Sequence, residues 1–231
     1  MLPTRTVCYV EREWPCIELL VARMDEGALD AAPICTDLHG FTGRSWFGAV
    51  DLVTCGYPCQ PYSNAGAMQG GADERDLWPE VCRVLGEVEP GIVFLENVPG
   101  HLRLGFDRVL GDLADLGFDA EWGLVRASDV GAPHRRERLF VLGYTDSARL
   151  PRRVRSGVKY SVQSHAWPGG PEDDWSEVDE QDWPAVERHL CGEVDGLPKW
   201  VDRLRALGNA VVPQQAAYAF ELLLRRACGA C

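Results

Sequence analysis

Nowhere does the sequence reach the ~20 uninterrupted apolar residues that a helical membrane span needs, so a membrane protein of that kind is excluded. Residues 1–13 hold no continuous apolar stretch and no small-residue cleavage site, which argues against export and for a cytoplasmic protein. A disulfide framework is missing as well. The nine cysteines are irregularly placed, as suits reduced thiols. Positive charge is scarce: 23 Lys+Arg stand against 35 Asp+Glu, a net charge of −12. That excludes a globally basic nucleic-acid binder but leaves room for a local basic patch. With 46% hydrophobic and 25% charged residues in 231, the composition is globular, and one domain with a small appendage is expected.

What is present is an alternation of short apolar runs and amphipathic stretches. Strands are expected at 6–10, 34–36, 50–54, 91–95 and 139–143. Helices are expected at 14–25, 76–88 and 106–116, the last stopped by Gly117; order returns at 200–207, and a last helix is expected at 213–226, where Pro213 suits a first helical turn. Strands separated by helices imply an α/β fold with a doubly wound, mostly parallel sheet. In such sheets function sits just past the carboxyl ends of the strands, here residues 55–66 and 96–101. From 146 to 196 the periodicity fails. Residues 135–159 hold eight Arg or Lys against the two acids Glu137 and Asp146, whereas 172–187 hold eight acids and no Lys or Arg. The acidic half reads as a solvated loop, and the basic half could track a phosphate backbone. The division expected is a core at 1–145, a variable segment at 146–198, and a return to the core at 199–231.

Cys59 follows an apolar strand, and a helical turn after it would aim backbone N–H groups at the sulfur and favour thiolate. The plainer alternative is an inert buried thiol. Glu96 ends the apolar run 91–95, where burial raises a carboxyl pKa and makes it a proton donor or bidentate partner. A strand-end ion pair is the plainer alternative. Arg135, Arg136 and Arg138 put guanidinium groups before the next strand, and a simple charge run competes there.

In order along the chain stand Pro58-Cys59-Gln60, Glu96-Asn97-Val98, His134-x-Arg136-x-Arg138 and the segment from Gly208 to Pro213 (Gly-Asn-Ala-Val-Val-Pro). Each is a weak signal alone. Together they resemble the signature loops of DNA cytosine C5-methyltransferases, with His134 standing where that pattern has Gln. The resemblance implies a Rossmann-like methyltransferase sheet, S-adenosylmethionine as cofactor, double-stranded DNA as substrate, and no metal. It assigns the covalent nucleophile to Cys59, a base-gripping carboxyl to Glu96, a contact to the base O2 to Arg138, and loop or phosphate support to Arg136. Glu11, Asp37, Leu38, Pro58, Leu77, Asn209 and Ala210 become cofactor contacts. Gln60, Ser63, Asn97, Arg152, Arg153 and Arg155 become DNA contacts. The target atom is unreachable inside a duplex, so the base must be flipped out, and residues 57–71, with three glycines, could close over it. A monomer encoded by a bacterium or phage, with a cognate restriction endonuclease as companion, is the expected setting.

The family opens with a strand and a Gly-rich turn that cradles the cofactor. The first 40 residues here hold only Gly27 and Gly40. A relative that binds DNA but not the cofactor is therefore the alternative reading, with weak cofactor binding expected. Two further classes compete: a Cys/His hydrolase pairing Cys59 with His101 or His134, and a zinc module around Cys228 and Cys231. The first lacks a hydrolase signature around Cys59, and the second has only one Cys-x-x-Cys pair.

Overall fold

The computed structural model describes residues 4–58, 76–132, 134–145 and 211–229. They fall into two compact units that part after Thr42. In the first, β1 (Tyr9–Val10), α1 (Trp14–Asp25) and β2 (Ile34–Cys35) form a small β-α-β unit whose strands pair in parallel, Tyr9 opposite Ile34. Pro15 lies in the first turn of α1, where its missing N–H costs no helical bond, and Ile17 is buried. The expected strand 6–10 narrows to two residues. The chain before it is tied instead to Asp30, whose carboxylate accepts from the Thr6 N–H and whose carbonyl accepts from the Tyr9 hydroxyl.

The second unit carries β3 (Leu52–Cys55), α2 (Trp78–Val88), β4 (Ile92–Asn97), α3 (Phe106–Asp115), β5 (Asp119–Val125), β6 (Arg138–Tyr144) and α4 (Pro213–Ala227). Its four strands stand in the order β3-β4-β6-β5. β3 and β4 are parallel, and β6 runs against both β4 and β5. The α/β fold expected from the alternation is present, with one reversed strand. β5 was not expected: Asp119, Glu121 and Gly123 interrupt its apolar residues, and it pairs with β6 alone among the described residues. The link from Arg126 to Glu137 is short and holds no crossover helix, so the strand that follows must return antiparallel.

That reversal positions the site. The carboxyl ends of β3, β4 and β5 share one edge of the sheet, and β6 starts there, with Arg138 opposite Val125 and Leu139 opposite Asn97. A parallel strand would have delivered Arg138 to the far edge.

On one face Phe94, Val125, Phe140 and Leu142 pack with Ala219 and Leu223 of α4. The Phe94 and Phe140 rings stack at 5.6 Å, and Phe220 meets Phe94 edge-on at 5.1 Å. Strand alternation sends the equally buried Val93, Leu95, Leu139 and Val141 to the other face. α2 is joined to α3 by a bond from the Trp78 indole N–H to the Asp112 carboxylate, 2.7 Å long. Among the described residues no helix is long and apolar enough to cross a membrane. The ordered stretch expected at 200–207 and the segment 146–198 lie outside the described residues.

Candidate active site

Glu96 is the penultimate residue of β4, and its side chain is 18% exposed. Its Oε1 lies 3.0 Å from Nε of Arg138, itself 17% exposed. The two residues that separate motifs bring to the same sheet edge are thus a half-buried ion pair. Burial raises the Glu96 carboxyl above its ordinary range, while Arg138 and then Arg136 pull it back. A methyl group added at Gly56 would stand 3.4 Å from Glu96 Oε2, in ordinary contact, which sets the β3 exit beside the carboxylate. Cys59 lies three residues further along the chain, outside the described residues, as do Gln60, Ser63, Arg152, Arg153, Arg155, Asn209 and Ala210.

Cys55 shows what burial does to a thiol at this edge. Desolvation, reinforced by the Glu96 charge, pushes it up to about 12. His134 moves the other way: burial and the positive charges of Arg136 and Arg138 bring it down to about 4, so at neutral pH it is an uncharged imidazole among guanidinium groups.

Asn97 is 3% exposed and thus does not reach a surface that DNA could touch in this structure. Its amide N–H points at the Tyr57 carbonyl, 3.4 Å away, and its side-chain oxygen accepts from the Val98 N–H. Asn97 therefore tethers the exit of β3 to the exit of β4. Beside it lies a pair the sequence reading missed: the Tyr57 hydroxyl is 2.7 Å from His101 Nε2, and His101 Nδ1 is 2.8 Å from the Leu104 carbonyl. A carbonyl can only accept, so Nδ1 carries the proton and Nε2 accepts from the tyrosine. With both ring nitrogens committed and the residue fully buried, His101 is not placed as the base of a Cys/His hydrolase.

In the N-terminal unit Glu11 leaves β1 and Asp37-Leu38 follow β2, so they stand just past the carboxyl ends of two adjacent parallel strands. Glu11 Oε1 accepts from the Glu13 N–H at 2.8 Å, which orients the carboxylate. Asp37 accepts from the N–H groups of His39 and Gly40, closing a turn. A side chain at Gly40 would come within 3.1 Å of that carboxylate. In the larger unit Pro58 is exposed, and Leu77 caps α2 through its carbonyl, which accepts from the Val81 N–H.

A mixed α/β sheet with its charged groups gathered where the strands end is a Rossmann-like arrangement. The fold is similar to that of the Entamoeba histolytica methyltransferase EhMeth, with a TM-score of 0.50, 16% identity, and coverage of 63% of this chain and 47% of that one. The family profile of C-5 cytosine-specific DNA methylases matches residues 6–188. The chain belongs to that family. Among curated relatives, it is 40% identical over 123 residues to the type II methyltransferase M.NgoMIV of Neisseria gonorrhoeae, covering 50% of this chain and 39% of that protein. To M.DsaV of Dactylococcopsis salina it is 38% identical over 103 residues, covering 42% and 29%. The matches thus span well under half the length of these relatives.

Proposed function

We propose that this chain moves the methyl group of S-adenosylmethionine to C5 of a cytosine flipped out of double-stranded DNA. The observation that carries the reading is the Glu96–Arg138 pair at the carboxyl edge of the sheet, beside the glycine that leads to Cys59. Cytosine C5 is a poor nucleophile until something adds to C6. A thiolate at Cys59 forms the S–C6 bond and pushes the ring electrons toward C5. Charge would otherwise build on N3, and Glu96, whose carboxyl burial raises while Arg138 and Arg136 hold it down, meets it there and grips the exocyclic amine. Arg138 turns its remaining N–H groups to the base O2, and Arg136 supports the loop or a phosphate. After methyl transfer the C5 proton leaves to a base and the Cys59 sulfur departs, restoring the ring.

The cofactor, when bound, supplies an electrophilic methyl group. The residues of the N-terminal unit fit such a molecule. Glu11, oriented by the Glu13 N–H at the end of a strand, stands where a ribose-binding acid stands in dinucleotide folds. The Asp37 turn presents Leu38 and a carboxylate at the neighbouring strand end. Relatives named as type II methyltransferases make a restriction endonuclease of the same specificity the expected companion.

Transfer of tritiated methyl groups into duplex DNA, with covalent trapping on a 5-fluorocytosine duplex, tests this reading. Glu96→Gln is expected to lower turnover about 10²–10³-fold with little loss of DNA affinity. Unchanged turnover would reduce Glu96 to a structural ion pair.

A further inference from the structure

Gln215, the third residue of α4, is fully buried, and the mechanism above makes no use of it. Its side-chain Nε2 lies 2.8 Å from the carbonyl of Val125 and 2.8 Å from the carbonyl of Arg136. An amide nitrogen has two N–H groups, and both are spent here. The orientation is forced, because the reversed amide would set its oxygen against two carbonyl oxygens. Val125 is the last residue of β5, and Arg136 lies just before β6. One side chain of α4 therefore clips the two ends of the link that reverses the sheet.

The clip acts on an unusual backbone. Arg136 has φ +26°, a region that residues with a Cβ occupy only when their surroundings hold them there. The carbonyl that Gln215 grips belongs to that residue. Two positions later the chain delivers Arg138 to Glu96 at 3.0 Å. At the other end of the link the Ala127 N–H donates to the Arg135 carbonyl at 2.9 Å, and the Arg126–Glu137 ion pair closes at 2.9 Å. Both of those fasten the link to itself, whereas Gln215 fastens it to a helix.

We propose that Gln215 is a positioning residue: by holding the Arg136 carbonyl it sets the path of residues 136–138 and so places Arg138 on Glu96. Leu or Met would fill the space but take the amide N–H groups from both carbonyls, and Glu would set a carboxylate against them. For its consequence in catalysis this rests on the methyltransferase reading; for the geometry it does not.

The two are tested separately. The charged and titratable groups acting on Glu96 are Arg138, Arg136 and the Cys55 thiol, and the arginines hold its carboxyl down against burial. In Gln215→Met those arginines lose their fixed path, so the Glu96 carboxyl should titrate at higher pH than in the parent. Carbon-13 NMR of glutamate-labelled full chain reads this, with Glu96→Gln identifying the signal. The single-turnover methyl-transfer rate should fall about tenfold or more while DNA affinity stays within about threefold. Gln214→Met, a neighbour that makes neither of these bonds, should change neither quantity. If Gln215→Met does not fold, Gln215→His, which keeps one donor, is measured in its place and should show a smaller shift in the same direction. A Glu96 titration unmoved in a folded Gln215 variant overturns the inference, whatever the activity. A shifted titration alongside a parent that never transfers methyl groups upholds the clip and sinks the methyltransferase reading instead.

Discussion

The hydroxyl of Tyr57 donates to Nε2 of His101 across 2.7 Å in a site closed to solvent, with Trp78 packed on the tyrosine and Phe106 on the histidine. The first residues after β3 are thereby fastened to the turn after β4. Because Nδ1 is already committed to the Leu104 carbonyl, the imidazole has one tautomer that satisfies both bonds. Burial lowers the His101 pKa, against the pull of the Leu104 bond and Asp76, which keeps the ring neutral and able to accept.

Tyr57→Phe removes the donor and strands a buried ring nitrogen. An unsatisfied buried acceptor costs about 1–3 kcal/mol, so urea unfolding at neutral pH should show a loss of that size. A change below about 0.5 kcal/mol would mean that water replaces the hydroxyl and that the bond fastens nothing.

Two thiols four positions apart in the sequence should behave differently. Cys55, pushed up to about 12, is a thiol at any working pH and should resist iodoacetamide at pH 8. Cys59→Ala should abolish both methyl incorporation and the adduct on 5-fluorocytosine DNA, whereas Cys55→Ala should keep both. Peptide mapping after alkylation, together with the trapping assay, checks this. An adduct that survives in Cys59→Ala but disappears in Cys55→Ala would move the nucleophile.

Much of this architecture could be read from the sequence. Helical spacing marked α1 and α2 to within a few residues, Gly117 marked the end of α3 and Pro213 the start of α4, and the apolar run before Glu96 marked β4. β5 escaped notice: an edge strand broken by Asp119, Glu121 and Gly123 has too weak an alternation to stand out. Without β5, the short return into β6 and its reversal could not be seen. Glu96, Arg136 and Arg138 were visible as motif residues. The pairs that hold them in place were not. Tyr57 and His101 are 44 positions apart, and Gln215 reaches 90 and 79 positions back to its two carbonyls. Such partners are chosen by tertiary packing, and no local pattern announces them.

The basic run beyond β6 makes a prediction that depends on charge alone. If Arg152, Arg153 and Arg155 neutralise phosphates, replacing all three with Ala weakens duplex binding and flattens its dependence on salt, by about 0.9 in slope for each phosphate no longer neutralised. Fluorescence anisotropy across a salt series measures the slope. Identical slopes for variant and parent would return the cluster to a solvated loop.

His134 couples the site to pH. In the folded chain its pKa falls from 6.5 to about 4, because burial and the charges of Arg136 and Arg138 oppose a third positive charge. In the unfolded chain the ring regains its ordinary value, so as pH falls the unfolded state takes up the proton first. The contribution to stability is therefore complete above pH 6.5 and is lost as pH falls through about 4. His134→Gln, which installs the residue the family pattern carries at this position, removes that proton uptake. Carboxylates titrate over the same window, so the quantity to read is the difference between the two proteins. Urea midpoints at pH 7 and pH 4.5 should show the parent losing more stability than His134→Gln on acidification, modestly so because a half-buried ring is partly screened. Equal losses would mean that the imidazole is solvated and that the arginines do not press on it.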